Sequence, residues 1–146
     1  MNIRIGVYGL IYNEKQDFLI TKTKSKNRYI YNFVGGGLED NESPEICLQR
    51  EMQEEAGIFI ETTRMQPIYF NKQLHQNGDY PSNNTINIYF KIDGTVAIDA
   101  IKINEKCEVA DLLWLDGDRF LQFGADKILS ADVEFVNFLL KNKLSP

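Results

Sequence analysis

Ile3, Ile5 and Val7 alternate with polar or small residues, and Leu10-Ile11-Tyr12 runs on into the polar segment Asn13-Glu14-Lys15-Gln16-Asp17. Alternation with a period of two marks a half-buried strand. Phe18-Leu19-Ile20 resumes the apolar pattern, so the two runs predict a β-hairpin. A third extended run, Tyr29 to Val34, ends in Gly35-Gly36-Gly37. Ser43-Pro44 then reads as a helix start. The serine oxygen can accept from a first-turn amide, and proline lacks an N–H that would have no partner there anyway. The helix is predicted to run to about Ala56 and stop at Gly57, which takes a left-handed backbone without strain. Leu48, Met52 and Ala56, at i, i+4 and i+8, give it an apolar stripe.

Ile58-Phe59-Ile60 begins the next extended piece, and Pro67 to Phe70 continues it. The polar stretch from His75 to Asn84 is too long for a tight hairpin turn and reads as a binding loop. Thr85 to Ile92 predicts a strand with Ile86, Ile88 and Phe90 on one face. Val109 to Leu115, containing Trp114, predicts the last strand, with Trp114 most simply in the core. Val133, Val136, Phe138, Leu139 and Leu140 predict a terminal helix with an apolar side for the sheet. No repeat, linker or low-complexity tract interrupts the chain. The expectation is one α+β domain over residues 1–146, with helices packed on a sheet.

Composition narrows what such a domain can do. With 146 residues, 43% of them hydrophobic and 25% charged, the chain can bury a core without disulfide or zinc staples. A net charge of −5 argues against a general nucleic-acid coat, which needs basic surface against phosphate, so no nucleic-acid polymer is expected as partner. Cys47 and Cys107 form no C-x-x-C pair, and His75 is the only histidine, so a histidine-built metal site or triad has almost no material. The alternating N-terminal segment lacks the apolar run of a signal peptide or membrane span, and a cytoplasmic protein with reduced thiols is expected. An anionic ligand would have to find positive charge elsewhere.

The chemistry concentrates in Gly35 to Ile58, GGGLEDNESPEICLQREMQEEAGI. Glu51, Glu54 and Glu55 sit at i, i+3 and i+4, within an arc of roughly 100° beside the apolar stripe. Like charges at this spacing repel by about 0.2–0.5 kcal/mol per exposed pair, and more when partly buried. They also lie in the C-terminal half of the helix, where the macrodipole disfavours anions. Arg50, four residues before Glu54, can offset one carboxylate but not three. A hard divalent cation with oxygen ligands, Mg²⁺ or Mn²⁺, would reconcile them. The glycines permit close approach of backbone to a ligand, and a carbonyl there could join the metal shell. They do not match the Walker loop, which needs Gly-Lys-Ser/Thr.

The string resembles the Nudix box, G-x5-E-x7-R-E-U-x-E-E-x-G-U with U aliphatic. Gly36 matches the first glycine, Glu42 the first glutamate, Arg50-Glu51 the R-E pair, Met52 the U, Glu54-Glu55 the E-E pair, and Gly57-Ile58 the close. Every fixed position is filled at the right offset. The box covers about a sixth of the chain, and the strands, terminal helix and Trp114 strand around it look like the small MutT-like members. The proline often found before the glycines is Val34 here, and an aromatic before that is Tyr31. These departures bear on loop geometry.

The resemblance implies a Nudix fold, a mixed sheet between helices. It also implies Mg²⁺-dependent hydrolysis, with Mn²⁺ an alternative, of a nucleoside diphosphate linked to another moiety. Carried onto this chain, Glu51, Glu54 and Glu55 are metal ligands helped by the Gly36 carbonyl, Glu51 also orients or deprotonates water, and Arg50 with Glu42 holds loop and helix in register. In many members a later-loop carboxylate joins them. Glu105, Glu108 and Asp111 are the candidates, Glu108 first. Lys22, Lys24, Lys26 and Arg28 read first as a solvated charge run that can reach substrate phosphates. Tyr8, Tyr31 and Tyr80 can stack on a base, and His75 can touch substrate from its loop. Arg28, Tyr31 and His75 are the substrate-binding candidates. The short chain suits a nucleoside triphosphate cleaved to monophosphate and pyrophosphate, with ADP-ribose or another nucleotide sugar as the alternative. A non-catalytic sensor on the same fold usually loses box glutamates. A small-molecule nucleotide partner is expected, and monomer and homodimer are both open.

Overall fold

The computed structural model describes residues 2–25, 27–74, 83–104, 107–144 and 146. The first hairpin forms as its pattern demands: β1 (Asn2–Tyr12) turns through Asn13 into β2 (Phe18–Ser25), and the Asn13 side chain accepts from the amides of Lys15 at 2.9 Å and Asp17 at 3.1 Å. β3 (Arg28–Gly37) carries the glycines to its end and leads to α1 (Pro44–Ala56). β4 (Met65–Leu74), β5 (Asn83–Thr95) and β6 (Val109–Leu115) complete the strands, and α2 (Gly117–Leu121) and α3 (Ser130–Asn142) follow.

The strands form one six-stranded sheet in the order β4-β5-β1-β3-β2-β6. It is mixed: β1 runs parallel to β5, whereas β1–β3, β2–β3, β2–β6 and β4–β5 are antiparallel. Each face has its own core. Val7, Ile11, Leu19 and Val34 pack against Leu48, Met52 and Ala56 of α1. Leu10, Phe18, Phe33 and Tyr89 pack on the other face against Phe120 of α2 and Phe135 and Val136 of α3. The arrangement is α+β, a mixed sheet between helices. No helix among the described residues is long and apolar enough to cross a membrane.

Three local expectations change. Ile58-Phe59-Ile60 is not part of a strand; Ile58 and Ile60 are buried as irregular chain, and β4 starts only at Met65 after a 3-10 turn at Thr62–Arg64. Their apolarity reflects packing on the α1 face rather than a strand. The terminal helix, Ser130–Asn142, is longer at both ends than the predicted span from Val133 to Leu140, because the polar Ser130, Asp132, Lys141 and Asn142 at its ends do not extend the apolar pattern. α2 was not anticipated: five residues, capped by the Asp116 side chain accepting from the Arg119 amide, are too few for a periodic pattern. Trp114 is partly buried on the α1 face, with its indole N–H donating to Ile98 O at 3.3 Å.

Candidate functional site

The core fixes α1 before any chemistry is considered. Ser43 Oγ accepts from the Ile46 amide at 3.2 Å, and Gly57 closes the helix at φ 67°. Cys47, Leu48, Met52 and Ala56 are fully buried, so the helix cannot rotate without emptying the core. Glu51, Glu54 and Glu55 therefore emerge at its edge, beside the glycine end of β3.

The glycines are shaped to this neighbour. Gly35 lies at φ 150°, where a Cβ would collide with the Val7 carbonyl, and its N–H donates to Glu55 Oε1 at 2.8 Å. At Gly36 a Cβ would stand 2.5 Å from Glu51 Oε1, so glycine is what lets that carboxylate approach the strand.

Arg50 ties the acids together. Its Nε and Nη2 donate to the two oxygens of Glu42 at 3.1 and 2.8 Å, a bidentate fork. Its Nη1 reaches Glu51 Oε1 at 3.1 Å and Glu54 Oε2 at 3.4 Å. The Glu39 amide also donates to Glu42 at 2.8 Å. The Arg50 bond, then the Glu39 amide, hold the Glu42 carboxyl down at about 2. Burial pushes Glu51 upward against the pull of Arg50. Burial also pushes Glu55 up to about 8; the Gly35 amide opposes this, and Glu51, Glu54 and Glu108 reinforce it. The crowding of like charges is thus eased by one guanidinium, and burial favours the neutral form of Glu55.

Glu51, Glu54 and Glu55 line a cleft of about 380 Å³ together with Gly35, Gly36 and Glu108. Arg4 and Tyr8 of β1, Thr23 of β2 and Asn32 of β3 complete it, with Cys107 and Val109 beside Glu108. Arg50 and Glu42 support the acidic wall from behind. Arg28 and Tyr31 are not among the lining residues. Arg28 is exposed and donates to Asp126 O at 3.1 Å, and Tyr31 stacks on Phe123 at 4.0 Å between ring centres. Asp111 is exposed on β6 and accepts from the Leu112 amide. Lys22 sits over the Tyr29 ring at 4.4 Å. His75, Tyr80, Glu105 and Lys26 lie outside the described residues.

Sequence reasoning missed Arg4, Thr23, Asn32 and Cys107 as cleft residues. The one available signal for Arg4 was that it shares an alternating face with Gly6 and Tyr8 on β1; the pairing that brings this face to the glycines of β3 is not local.

Among the described residues, no three His, Cys, Asp or Glu groups converge as they stand on a metal-binding point. Arg50 holds Glu51 and Glu54, and the Gly35 amide holds Glu55. The donor chemistry nevertheless suits a hard divalent cation: several carboxylates and a glycine backbone line one cleft, with no histidine among its described lining residues.

Comparisons with known proteins agree with this architecture. The family model of the NUDIX domain matches residues 2–133. An "8-oxo-dGTP diphosphatase" of Proteus vulgaris is 42% identical over 54 residues, 36% of this chain and 48% of that protein, so the chain matches about half the length of this curated relative. The solution structure of the E. coli ORF135 protein superposes with a TM-score of 0.76 at 16% identity, covering 98% of this chain and 92% of that one. The crystal structure of the MutT protein from Methanosarcina mazei Go1 gives 0.74 at 24% identity, covering 97% and 96%. The family match runs from the first strand to the last helix and encloses the glycine-flanked acidic helix, and the chain belongs to the NUDIX family.

Proposed function

We propose that this protein is a pyrophosphohydrolase that uses Mg²⁺, or Mn²⁺, to cleave a nucleoside triphosphate to its monophosphate and pyrophosphate. The observation that carries the reading is that the three helix acids of the box, Glu51, Glu54 and Glu55, line one cleft beside the glycine end of β3. The relative from Proteus vulgaris, named for a diphosphatase activity on a nucleotide, supports it over the segment that it shares with this chain.

Glu51, Glu54, Glu55, the Gly36 carbonyl and Glu108 would hold the cation. When bound, it shields phosphoryl oxygens and acidifies water. Glu51, whose carboxyl burial makes more basic, orients the attacking water and accepts its proton. Water oxygen bonds to phosphorus, the bridging P–O bond breaks, and pyrophosphate leaves with the bond electrons. Arg50, locked to Glu42, keeps the acidic wall against the glycine strand. The cleft also suits ADP-ribose or another nucleotide sugar, which presents the same diphosphate. The proposed setting is the cytoplasm, where Cys47 and Cys107 stay reduced, with the protein as monomer or homodimer.

The test is a panel of nucleoside triphosphates, nucleotide sugars and dinucleotides with Mg²⁺ or Mn²⁺, products separated and identified. Release of monophosphate and pyrophosphate is expected to be fastest with a triphosphate. Faster cleavage of a nucleotide sugar would overturn the substrate assignment, and no cleavage of any compound would overturn the activity.

A further inference from the structure

The wall of the cleft opposite the acidic helix is built around an absence of side chains. Gly6 of β1 pairs with Gly37 of β3, and Tyr8 pairs with Gly35. Arg4, Gly6 and Tyr8 share one face of β1, since alternate strand residues point the same way. The Arg4 guanidinium lies over Gly37: Nη2, Nε and Cζ stand 3.2, 3.3 and 3.5 Å from where a Cβ would be. The two nitrogens are nearer than the central carbon, so the guanidinium turns its Nε–Nη2 edge toward the glycine. Arg4 is also hydrogen-bonded to Tyr8, which lines the cleft beside it. The third glycine, whose purpose the spacing of the acids leaves open, is thereby the seat of a cation.

Among the described residues lining the cleft, Arg4 is the one positively charged side chain. Four glutamates face it in the same space: Glu51, Glu54, Glu55 and Glu108. A substrate with several phosphates meets carboxylates on one wall and needs a donor on the other. A planar guanidinium presents paired N–H groups that match phosphate oxygens, which an ammonium cannot do.

We propose that Arg4, seated on Gly37 and steadied by Tyr8, is a specificity-determining residue that grips a phosphate of the nucleotide and favours a triphosphate over a diphosphate ending in a neutral sugar. This rests on the hydrolase reading above, and the experiment separates the two. Arg4→Gln, Arg4→Lys and Gly37→Ala are compared with the wild-type chain in Mg²⁺, by hydrolysis and by equilibrium binding of a methylene-bridged nucleoside triphosphate analogue that cannot be cleaved. Arg4→Gln is expected to weaken analogue binding and raise KM for the triphosphate about tenfold, about 1.4 kcal/mol, with kcat within about threefold. The KM for a nucleotide sugar of the same base should move by less than about threefold. Arg4→Lys should restore part of the affinity, and Gly37→Ala, which displaces the guanidinium, should lose part of it. Thermal melting confirms that each variant is folded, and Gly37→Ala carries the test if Arg4→Gln is not. Equal analogue affinity in wild type and the folded variants, equal losses for both substrate classes, or no wild-type analogue binding at millimolar concentration would overturn the assignment. Tight, Arg4-dependent binding without hydrolysis would uphold it and overturn the hydrolase reading alone.

Discussion

The Arg50 guanidinium hydrogen-bonds three carboxylates and lies 3.8 Å from a fourth, that of Glu39. Glu42 is gripped by both oxygens, Glu51 and Glu54 by one each, and Glu55 is left to the Gly35 amide. Lysine keeps the charge but cannot form the fork, so Arg50→Lys is expected to lower kcat at least about tenfold in a folded protein, measured by initial rates beside a circular dichroism spectrum. Glu54→Gln or Glu55→Gln should lose about a hundredfold or more in kcat, the scale for losing an electrostatic partner of a transferring phosphoryl group. Activity within a few-fold of wild type would contradict the roles given to them. The acids themselves were legible in the sequence because helical spacing is local: i, i+3 and i+4 determine a shared face whatever the rest of the chain does. Arg4 was not legible. Nothing near it announces that Gly6 will lie against Gly37, and only that pairing brings it into the cleft.

At the scale of the elements, α1 is positioned by its ends and its stripe. Ser43→Ala removes the cap accepted from Ile46 and should cost about 1 kcal/mol. Leu48→Ala leaves a cavity under a fully buried side chain and should cost about 2–5 kcal/mol, read by urea denaturation. Both should reduce activity less than substitution of the acids does, provided the protein remains folded. The start and stop of this helix could be read because serine, proline and glycine act on their immediate neighbours. The strand predicted at Ile58-Phe59-Ile60 fails for the opposite reason: Ile58 and Ile60 are buried in the core that α1 covers, and burial alone does not make a strand. The parallel pairing of β1 with β5 was equally hidden, since strands so far apart in sequence meet only once the sheet exists.

The whole molecule carries charge that its fold constrains in ways visible in its pH response. Asp132, buried in the first turn of α3, accepts from the Tyr89 hydroxyl at 2.7 Å through Oδ1, and its Oδ2 has no partner among the described residues. Burial pushes its carboxyl from 3.8 up to about 7. Below the lower value both folded and unfolded chains hold the proton. Between the two values only the folded chain does, so this group's contribution to stability falls as pH rises and is lost above about 7. Each unit of difference is worth about 1.4 kcal/mol, an upper figure here. Asp132→Asn should therefore gain stability relative to wild type between pH 5 and pH 8 in urea titrations; a constant difference would contradict the account. Glu42 acts in the opposite sense, since its lowered carboxyl contributes above its ordinary range and is lost as pH falls toward about 2. A bound divalent cation should raise the melting temperature by relieving repulsion among the acids of α1. The acidic wall is proposed to work with a divalent metal on a nucleotide diphosphate. The most direct test is the rate of pyrophosphate release from nucleoside triphosphates by the purified chain, with Mg²⁺ and with the metal chelated. The account predicts release with Mg²⁺ that stops on chelation and falls about a hundredfold or more in Glu54→Gln; release indifferent to both would contradict it.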